Sequence, residues 1–262
     1  MSLFRLASFL LCSLLVSASV AAQQPPQRDP QGVAILQQSF VAMGGAVSRS
    51  VHTAVFSGRI AQQRGPATVQ GTVIFKLADR DKWRMDSPFG AETQTHVVNG
   101  TKGREVRDGQ SRGLPYHTVL NHHMKFVPVF SELAEYANLS YTISYLGLEV
   151  LAGHNVHHIR IARVFPGRPQ STATMLSQLS AVDLFVDASS LLVVKRSQQV
   201  SSSIDSHTRV LVEQLYSDYR SADGILFPQS ISVLVRGQRL NDIVFTSATF
   251  NAPISPTEFE VP

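Results

Sequence analysis

The stretch Ala67-Thr-Val-Gln-Gly-Thr-Val-Ile-Phe-Lys-Leu77 alternates between two kinds of side chain, and this alternation decides the fold class. Successive side chains of a β-strand point to opposite faces, so a period of two predicts a strand with one apolar and one wet side. The even-numbered positions are polar except for Ile74. The small or apolar positions are Ala67, Val69, Gly71, Val73, Phe75 and Leu77.

The same period continues on both sides of this stretch. Asn99-Gly100 and Asp108-Gly109 are dipeptides that favour hairpin turns between such strands. The pattern predicts a single sheet of about ten antiparallel strands, and a sheet of that size usually curls or closes. The other strand-like segments are 51–62, 82–86, 93–98, 103–106, 141–151, 156–164, 182–186, 191–199, 209–220, 231–235 and 242–250.

Two segments have helical spacing instead. Near the N-terminus, Ile35, Leu36, Phe40 and Met43 would share one helix face, which ends at Gly44-Gly45. We also expect two short inserted helices between residues 115 and 138, and a polar loop over 166–180 that caps the sheet. The apolar residues of the insert at helical spacing are Leu120, Met124, Val127, Phe130, Leu133 and Ala134.

Residues 1–22 have the pattern of a cleavable secretory signal peptide. Arg5 precedes a short apolar run, and small residues end the segment at Ala21-Ala22. The run is shorter than the roughly 20 apolar residues of a membrane span, which favours cleavage near Ala22 over a retained anchor. Cys12 is the only cysteine, so the mature chain is expected to lack disulfides and a lipid anchor.

The remaining chain is predicted to be one domain. A flexible leader is expected over residues 23–30, followed by a single β-rich domain over 31–262. Export without disulfides favours the bacterial periplasm as the location. The formal net charge is only +4, from 23 Lys and Arg against 19 Asp and Glu, and no basic stripe is present, so nucleic acid is not an expected partner.

Motifs for catalysis or cofactors are missing from the sequence. It contains no Gly-x-Ser-x-Gly elbow, no phosphate-binding loop and no Gly-x-Gly-x-x-Gly stretch. Histidines cluster at 117–123 and 154–158, but the adjacent His157 and His158 should point to opposite faces of a strand. We therefore expect no enzyme, cofactor or metal, and a histidine-dependent metal enzyme is the weakest of three hypotheses.

The apolar face of the sheet leaves two alternatives. One N-terminal helix and a short helical pair give thin cover for about ten strands. An apolar cleft between sheet and helices would suit a lipid or acyl chain, because ligand pockets are mostly apolar. A core packed solid is the other possibility, because most apolar faces are simply core.

Several short segments resemble one known family. The segment Val73–Met85 is similar to its strand, turn and Trp-bearing strand, and Val97-Val-Asn-Gly100 is similar to a following turn. The hairpin of Val182–Asp187 and Leu191–Arg196 also resembles a later strand-turn-strand hairpin of that family. Related periplasmic members have segments like Asp223–Pro228 and Phe250–Pro253. In order and in motif, the chain resembles the bacterial outer-membrane lipoprotein carriers and, more broadly, the LolA/LolB/LppX-like superfamily.

This resemblance implies a fold and a function. The fold is an incomplete antiparallel β-barrel with helices as a lid over an apolar cavity. One arginine in a Lys-Arg-Pro turn helps to hold that lid in lipoprotein carriers, whereas here Lys76 is followed by Leu77-Ala78. Implied partners are lipids or lipoprotein acyl chains, together with envelope membrane proteins.

The leading hypothesis is a soluble periplasmic carrier whose apolar cavity binds a lipid, an acyl chain or a lipoprotein. The alternative is a non-catalytic structural or interaction protein of the envelope with a filled barrel. On the carrier hypothesis, ten residues are candidates for lipid binding. The wall candidates are Val73, Phe75, Leu77, Trp83 and Met85, and the lid candidates are Leu120, Met124, Phe126, Phe130 and Leu133.

Overall fold

The computed structural model of the chain describes residues 27–79, 81–121, 126–201 and 208–261. For His117, Leu120 and Asn121 only the backbone is described. The predicted signal peptide lies outside these ranges, so its cleavage stays a prediction.

Thirteen antiparallel strands form one sheet, which confirms the mainly β class and exceeds the expected count of about ten. Twelve of the thirteen correspond to the twelve strand-like segments of the sequence, and only β6 has no counterpart. The strands are β1 (Thr53–Arg64), β2 (Ala67–Ala78), β3 (Lys82–Asp86), β4 (Gln94–Asn99), β5 (Lys102–Arg107), β6 (Gln110–Gly113), β7 (Tyr141–Leu151), β8 (His154–Arg163), β9 (Val182–Asp187), β10 (Val193–Ser201), β11 (Arg209–Ala222), β12 (Ile225–Val235) and β13 (Gln238–Phe250).

The strand order makes the sheet an open, incomplete barrel. It runs β6-β5-β4-β3-β2-β1-β13-β12-β11-β10-β9-β8-β7, so two meanders meet where β1 pairs with β13. The edge strands β6 and β7 do not pair with each other, although they are consecutive in the chain. The connection between them, residues 114–140, therefore has to pass from one edge of the sheet to the other. We call it the insert.

The insert crosses the concave face. Its helix α3 (Tyr116–Asn121) contacts both β5 and β10, which belong to different meanders. Two 3-10 turns follow, at Pro128–Phe130 and Glu132–Glu135, so the predicted pair of short helices is replaced by one α-helix and two tighter turns. The contact of one helix with two strands so far apart in the order requires the sheet to curl around the insert.

The N-terminal helices complete the cover. Helix α1 (Pro30–Ala42) and the short α2 (Gly45–Ser48) precede the sheet, and the predicted apolar face of α1 is confirmed, because Ile35, Leu36, Phe40 and Met43 are all buried. Residues 27–29, the end of the expected leader, pair with the edge strand β7. The Asp29 amide donates to the Ile143 carbonyl at 2.8 Å.

The prediction of a loop over residues 166–180 is wrong. Residues Gln170–Ser180 form a fourth helix, α4, which packs against β8. The segment is polar and weakly amphipathic, so its period is hard to see in the sequence. Its alanine, methionine, leucine and glutamine residues are nevertheless good helix formers, and it contains no internal glycine or proline.

A substitution at Gly58 tests the close contact between β1 and β13. The strands shift register beside it, and a β-carbon there would lie 2.2 Å from the carbonyl oxygen of Val244. We expect Gly58→Ala to lower the free energy of unfolding by about 2–3 kcal/mol, because the backbone of β13 has to move. Gly113→Ala on edge strand β6, where nothing lies within 4 Å of the added carbon, is the control. Equal urea midpoints for the two variants would contradict this close approach.

Candidate functional site

The wall candidates lie on the concave face, as the period of two predicts. Val73 and Phe75 are fully buried, and Trp83 and Met85 are each 4% exposed. Antiparallel pairing places Phe75 opposite Met85 and Leu77 opposite Trp83, so these side chains share one face. Leu77 is half-buried and packs against the same core. Ile74, the exception in the alternation, faces outward and is 39% exposed.

Part of the predicted lid reaches the wall. Phe126 and Leu133 are buried, and Phe130 is half-buried against the same core. The Phe126 ring meets the Phe75 ring edge-on, with 5.0 Å between centroids. Leu120 belongs to α3, but its side chain is not described, and Met124 lies outside the described residues. The structure therefore brings together eight of the ten candidates.

Within the described ranges, the protein's own side chains pack closely on the concave face. Phe56 is fully buried among Phe75, Phe227 and Phe245, with ring centroids 5.2–6.4 Å apart. Two cavities of about 510 and 440 Å³ lie elsewhere, one at the β5–β6 hairpin and one beside α4. Neither is lined by a wall or lid candidate. A ligand that enters this ring cluster would have to displace some of these side chains.

One buried ion pair fixes the insert to the sheet. Glu132 in the insert is 3% exposed and Arg196 on β10 is 5% exposed. The Nε and Nη2 atoms of Arg196 donate to Oε1 of Glu132 at 3.2 and 2.9 Å, and Nη2 also donates to Gln198 Oε1 at 2.7 Å. Phe126 meets the first meander at Phe75, so the insert is attached to both halves of the sheet.

The surroundings of this pair are polar and buried. Gln214 and Tyr216 on β11 are buried next to it, and the Tyr216 hydroxyl donates to Gln214 Oε1 at 3.0 Å. Desolvation lowers the pKa of Arg196, but attraction and hydrogen bonding to Glu132 together outweigh it, so the pKa is raised and the guanidinium stays charged. Burial raises the pKa of Tyr216, which stays neutral.

Sequence reasoning missed this pair. An arginine within an otherwise β-forming run and a glutamate between Phe130 and Leu133 were the available signals. Charged residues at buried positions are rare unless they are paired, so each could have been flagged. That the two residues pair with each other could not be predicted, because 64 residues separate them in the sequence.

The histidine clusters do not converge in the described part of the chain. No group of three or more His, Cys, Asp or Glu side chains there could hold a metal ion. His157 contacts the Tyr145 hydroxyl at 3.1 Å, whereas the Nδ1 atom of His158 lies 2.6 Å from Glu149 Oε1. His122 and His123 lie outside the described residues. Among the described helices, none is long and apolar enough to cross a membrane.

Arg196→Met tests the ion pair. It leaves the Glu132 carboxylate buried without its arginine, and we expect a loss of about 3–5 kcal/mol in the free energy of unfolding. The matched control is Arg239→Met, which breaks the exposed pair with Asp242 and should cost less than about 1 kcal/mol.

The double variant Arg196→Met/Glu132→Leu should recover most of this loss, because no charge is then left buried. Chemical denaturation of all three variants gives the comparison. Equal losses for Arg196→Met and Arg239→Met would show that the buried pair does not hold the insert.

Comparison with known proteins finds similarity of fold but none of sequence family. Neither a family model nor a curated protein matches the sequence. Among solved structures, a LolA superfamily protein from Nitrosomonas europaea aligns over 88% of this chain and 97% of its own, with 10% identity and a TM-score of 0.55. A domain from Vibrio parahaemolyticus, provisionally named as an outer membrane lipoprotein-sorting protein, aligns over 87% and 96%, with 9% identity and a TM-score of 0.55. The fold of this chain is therefore similar to the folds of these two proteins, as the resemblance of its motifs predicted.

Proposed function

We propose that this chain is a periplasmic carrier that binds a lipid, an acyl chain or the acyl chains of a lipoprotein on the concave face of its sheet. The insert acts as the lid. The observation that carries the proposal is the nature of the cover over that face. It includes a connection between the two sheet edges, attached through a buried ion pair and through ring contacts such as Phe126 with Phe75.

The energetics of exchange support this role. Moving the insert aside would expose Phe126, Leu133 and the wall, and an acyl chain could take their place at about 0.8 kcal/mol for each buried methylene. The groups of Glu132 and Arg196 would regain hydration, which offsets the loss of their pairing. Without cargo, the closed insert would keep the apolar face from water.

The shared fold supports the envelope as the place of action. The Vibrio domain is named for lipoprotein sorting, and the N-terminal 22 residues here have a signal-peptide pattern. On this proposal the carrier uses no cofactor and catalyses no reaction. It would receive and deliver its cargo at envelope membranes or at membrane proteins.

The tight packing of the concave face favours a second candidate. Phe75, Phe126 and Leu133 are almost completely buried, as they would be in a permanent core. The protein would then be a non-catalytic structural or interaction protein with a filled barrel. The two candidates differ in one respect that can be measured, which is whether an acyl chain enters.

Adjacent positions of β2 provide a matched test of acyl binding. Val73 faces the concave side and Ile74 the outside. Val73→Thr keeps the side-chain shape and adds a hydroxyl to the proposed wall. We expect it to weaken binding of a fluorescent fatty acid about tenfold, from the cost of an unsatisfied hydroxyl. Ile74→Thr should leave the dissociation constant within twofold.

The measurement is a fluorescence titration of the chain from residue 23 onward, with mass spectrometry of organic extracts from protein purified from bacterial periplasm. A carrier should show saturable binding and a co-purified lipid. Absence of both would favour the filled barrel, and so would equal effects of the two threonine variants.

A further inference from the structure

The apolar wall of the concave face continues into a polar row toward edge strand β6. Directly opposite residues of antiparallel neighbours lie side by side on one face of the sheet. From Phe75 on β2, the register leads through Met85 on β3, His96 on β4 and Glu105 on β5 to Arg112 on β6. These five side chains therefore share one face, and they change from apolar to charged along the row.

The row is buried up to its last member. Met85, His96 and Glu105 are 4%, 7% and 4% exposed, whereas the Arg112 side chain is 74% exposed. Neighbouring strands lie about 4.8 Å apart, so the four steps from Phe75 to Arg112 cover about 19 Å along the sheet. A long acyl chain that lies across the strands can span this distance.

Two arginines converge on the buried carboxylate of this row. Arg107 follows Glu105 by two residues on β5, so both side chains are on the same face. The Nε atom of Arg112 donates to Glu105 Oε2 at 2.6 Å, and Nη2 of Arg107 donates to Oε1 at 3.3 Å. Burial raises the pKa of the Glu105 carboxyl, but the hydrogen bond from Arg112 and the attraction of the neighbouring cations outweigh burial, so the pKa is lowered and the carboxylate stays charged.

The carboxylate orients both guanidinium groups without covering them. A guanidinium carries five N–H donors, so neither arginine uses all of its donors on Glu105. The side chain of Arg107 is 56% exposed, whereas that of Glu105 is 6% exposed. A ligand that approaches the end of the row therefore meets arginine donors in a fixed position, with the carboxylate beneath them. Arginines bind phosphate oxygens through pairs of parallel hydrogen bonds.

The cavity of about 510 Å³ at the β5–β6 hairpin gives a ligand room beside these arginines. Its charged lining residues are Glu105, Arg107, Asp108 and Arg112, and its uncharged lining residues are Gln110 and Ser111. Asp108 Oδ1 accepts from the Thr93 amide at 2.8 Å, so this carboxylate also holds the turn. The two cations and two carboxylates balance, so net charge does not select the ligand. Position does, because the arginine donors are exposed and one of the carboxylates is buried.

We propose that this cavity binds the phosphate headgroup of a phospholipid whose acyl chain lies along the row toward the apolar wall. The inference rests on the carrier role proposed above, and it adds the chemical class of the cargo. Charges on an edge strand can also serve only to keep other strands from pairing with it. That role requires no preference for phosphate, so a binding measurement separates the two.

Two probes with the same fluorescent acyl chain separate the headgroup site from the carrier role. One probe ends in a phosphate monoester and the other in a hydroxyl. We expect the chain from residue 23 onward to bind both, and to bind the phosphate probe about tenfold more tightly. Equal affinities would overturn the headgroup site and leave the carrier role intact. Failure of both probes to bind would remove the carrier role and this inference with it.

A double variant locates the preference at the two arginines. Arg107→Gln/Arg112→Gln should reduce the preference for phosphate to within about twofold and leave the affinity for the hydroxyl probe unchanged. The matched control is Arg59→Gln/Arg236→Gln, which removes one exposed arginine from β1 and one from the turn before β13. The control should keep the full preference. Equal preferences in the two double variants would overturn the proposal.

Asp108→Asn gives a readout that a loss of stability cannot imitate. Asparagine keeps the oxygen that accepts from the Thr93 amide and tolerates the left-handed backbone at this position, where φ is +50°. Because a negative charge next to the arginines is removed, we expect the phosphate probe to bind about twofold to threefold more tightly, with no change for the hydroxyl probe. Unchanged affinity for the phosphate probe would overturn the proposal. So would displacement of that probe by equimolar inorganic phosphate, because the site would then take free phosphate.

Discussion

The rest of the structure depends on one topological constraint, which is that the two edge strands of an open sheet follow each other in the chain. Strands β6 and β7 lie at opposite ends of the strand order, so the insert has to cross the concave face. The sheet curls around this crossing until α3 contacts β5 and β10. The cover is therefore connected to both edge strands of the sheet, which limits how far it can move, but it is not itself a strand of the sheet.

The insert is attached to the two halves of the sheet by different kinds of contact. Ring contacts such as Phe126 with Phe75 attach it to one meander, and the Arg196–Glu132 pair attaches it to the other. A buried ion pair contributes less to net stability than apolar residues of the same volume would, but it defines one position of the insert. On the proposed carrier role, an acyl chain would replace the apolar contacts, and water would hydrate the two separated charges.

Much of the fold and of the candidate site could be predicted from the sequence. The features that could not be predicted were hidden for physical reasons. The buried face of α1 and the inward positions of β2 and β3 follow directly from periods of 3.6 and two. The turn after β9 was also predicted, within the hairpin of Val182–Asp187 and Leu191–Arg196. In the structure, Asp187 accepts hydrogen bonds from Ser189 and Ser190, and these bonds lower its pKa to about 2. Helix α4 was missed because none of its residues is buried, so packing imposes no pronounced apolar period on its sequence. The ion pair was missed because its partners meet only when the sheet curls.

Native-state hydrogen exchange of the insert tests the central claim most directly. Amides of residues 126–136 would be compared with those of β1 and β13, which form the middle of the sheet. A removable cover predicts that the insert exchanges through a local opening, with a lower free energy and a smaller denaturant dependence than the central strands. Exchange of both regions only through global unfolding, with one common free energy, would contradict the account and make the insert a permanent part of the core.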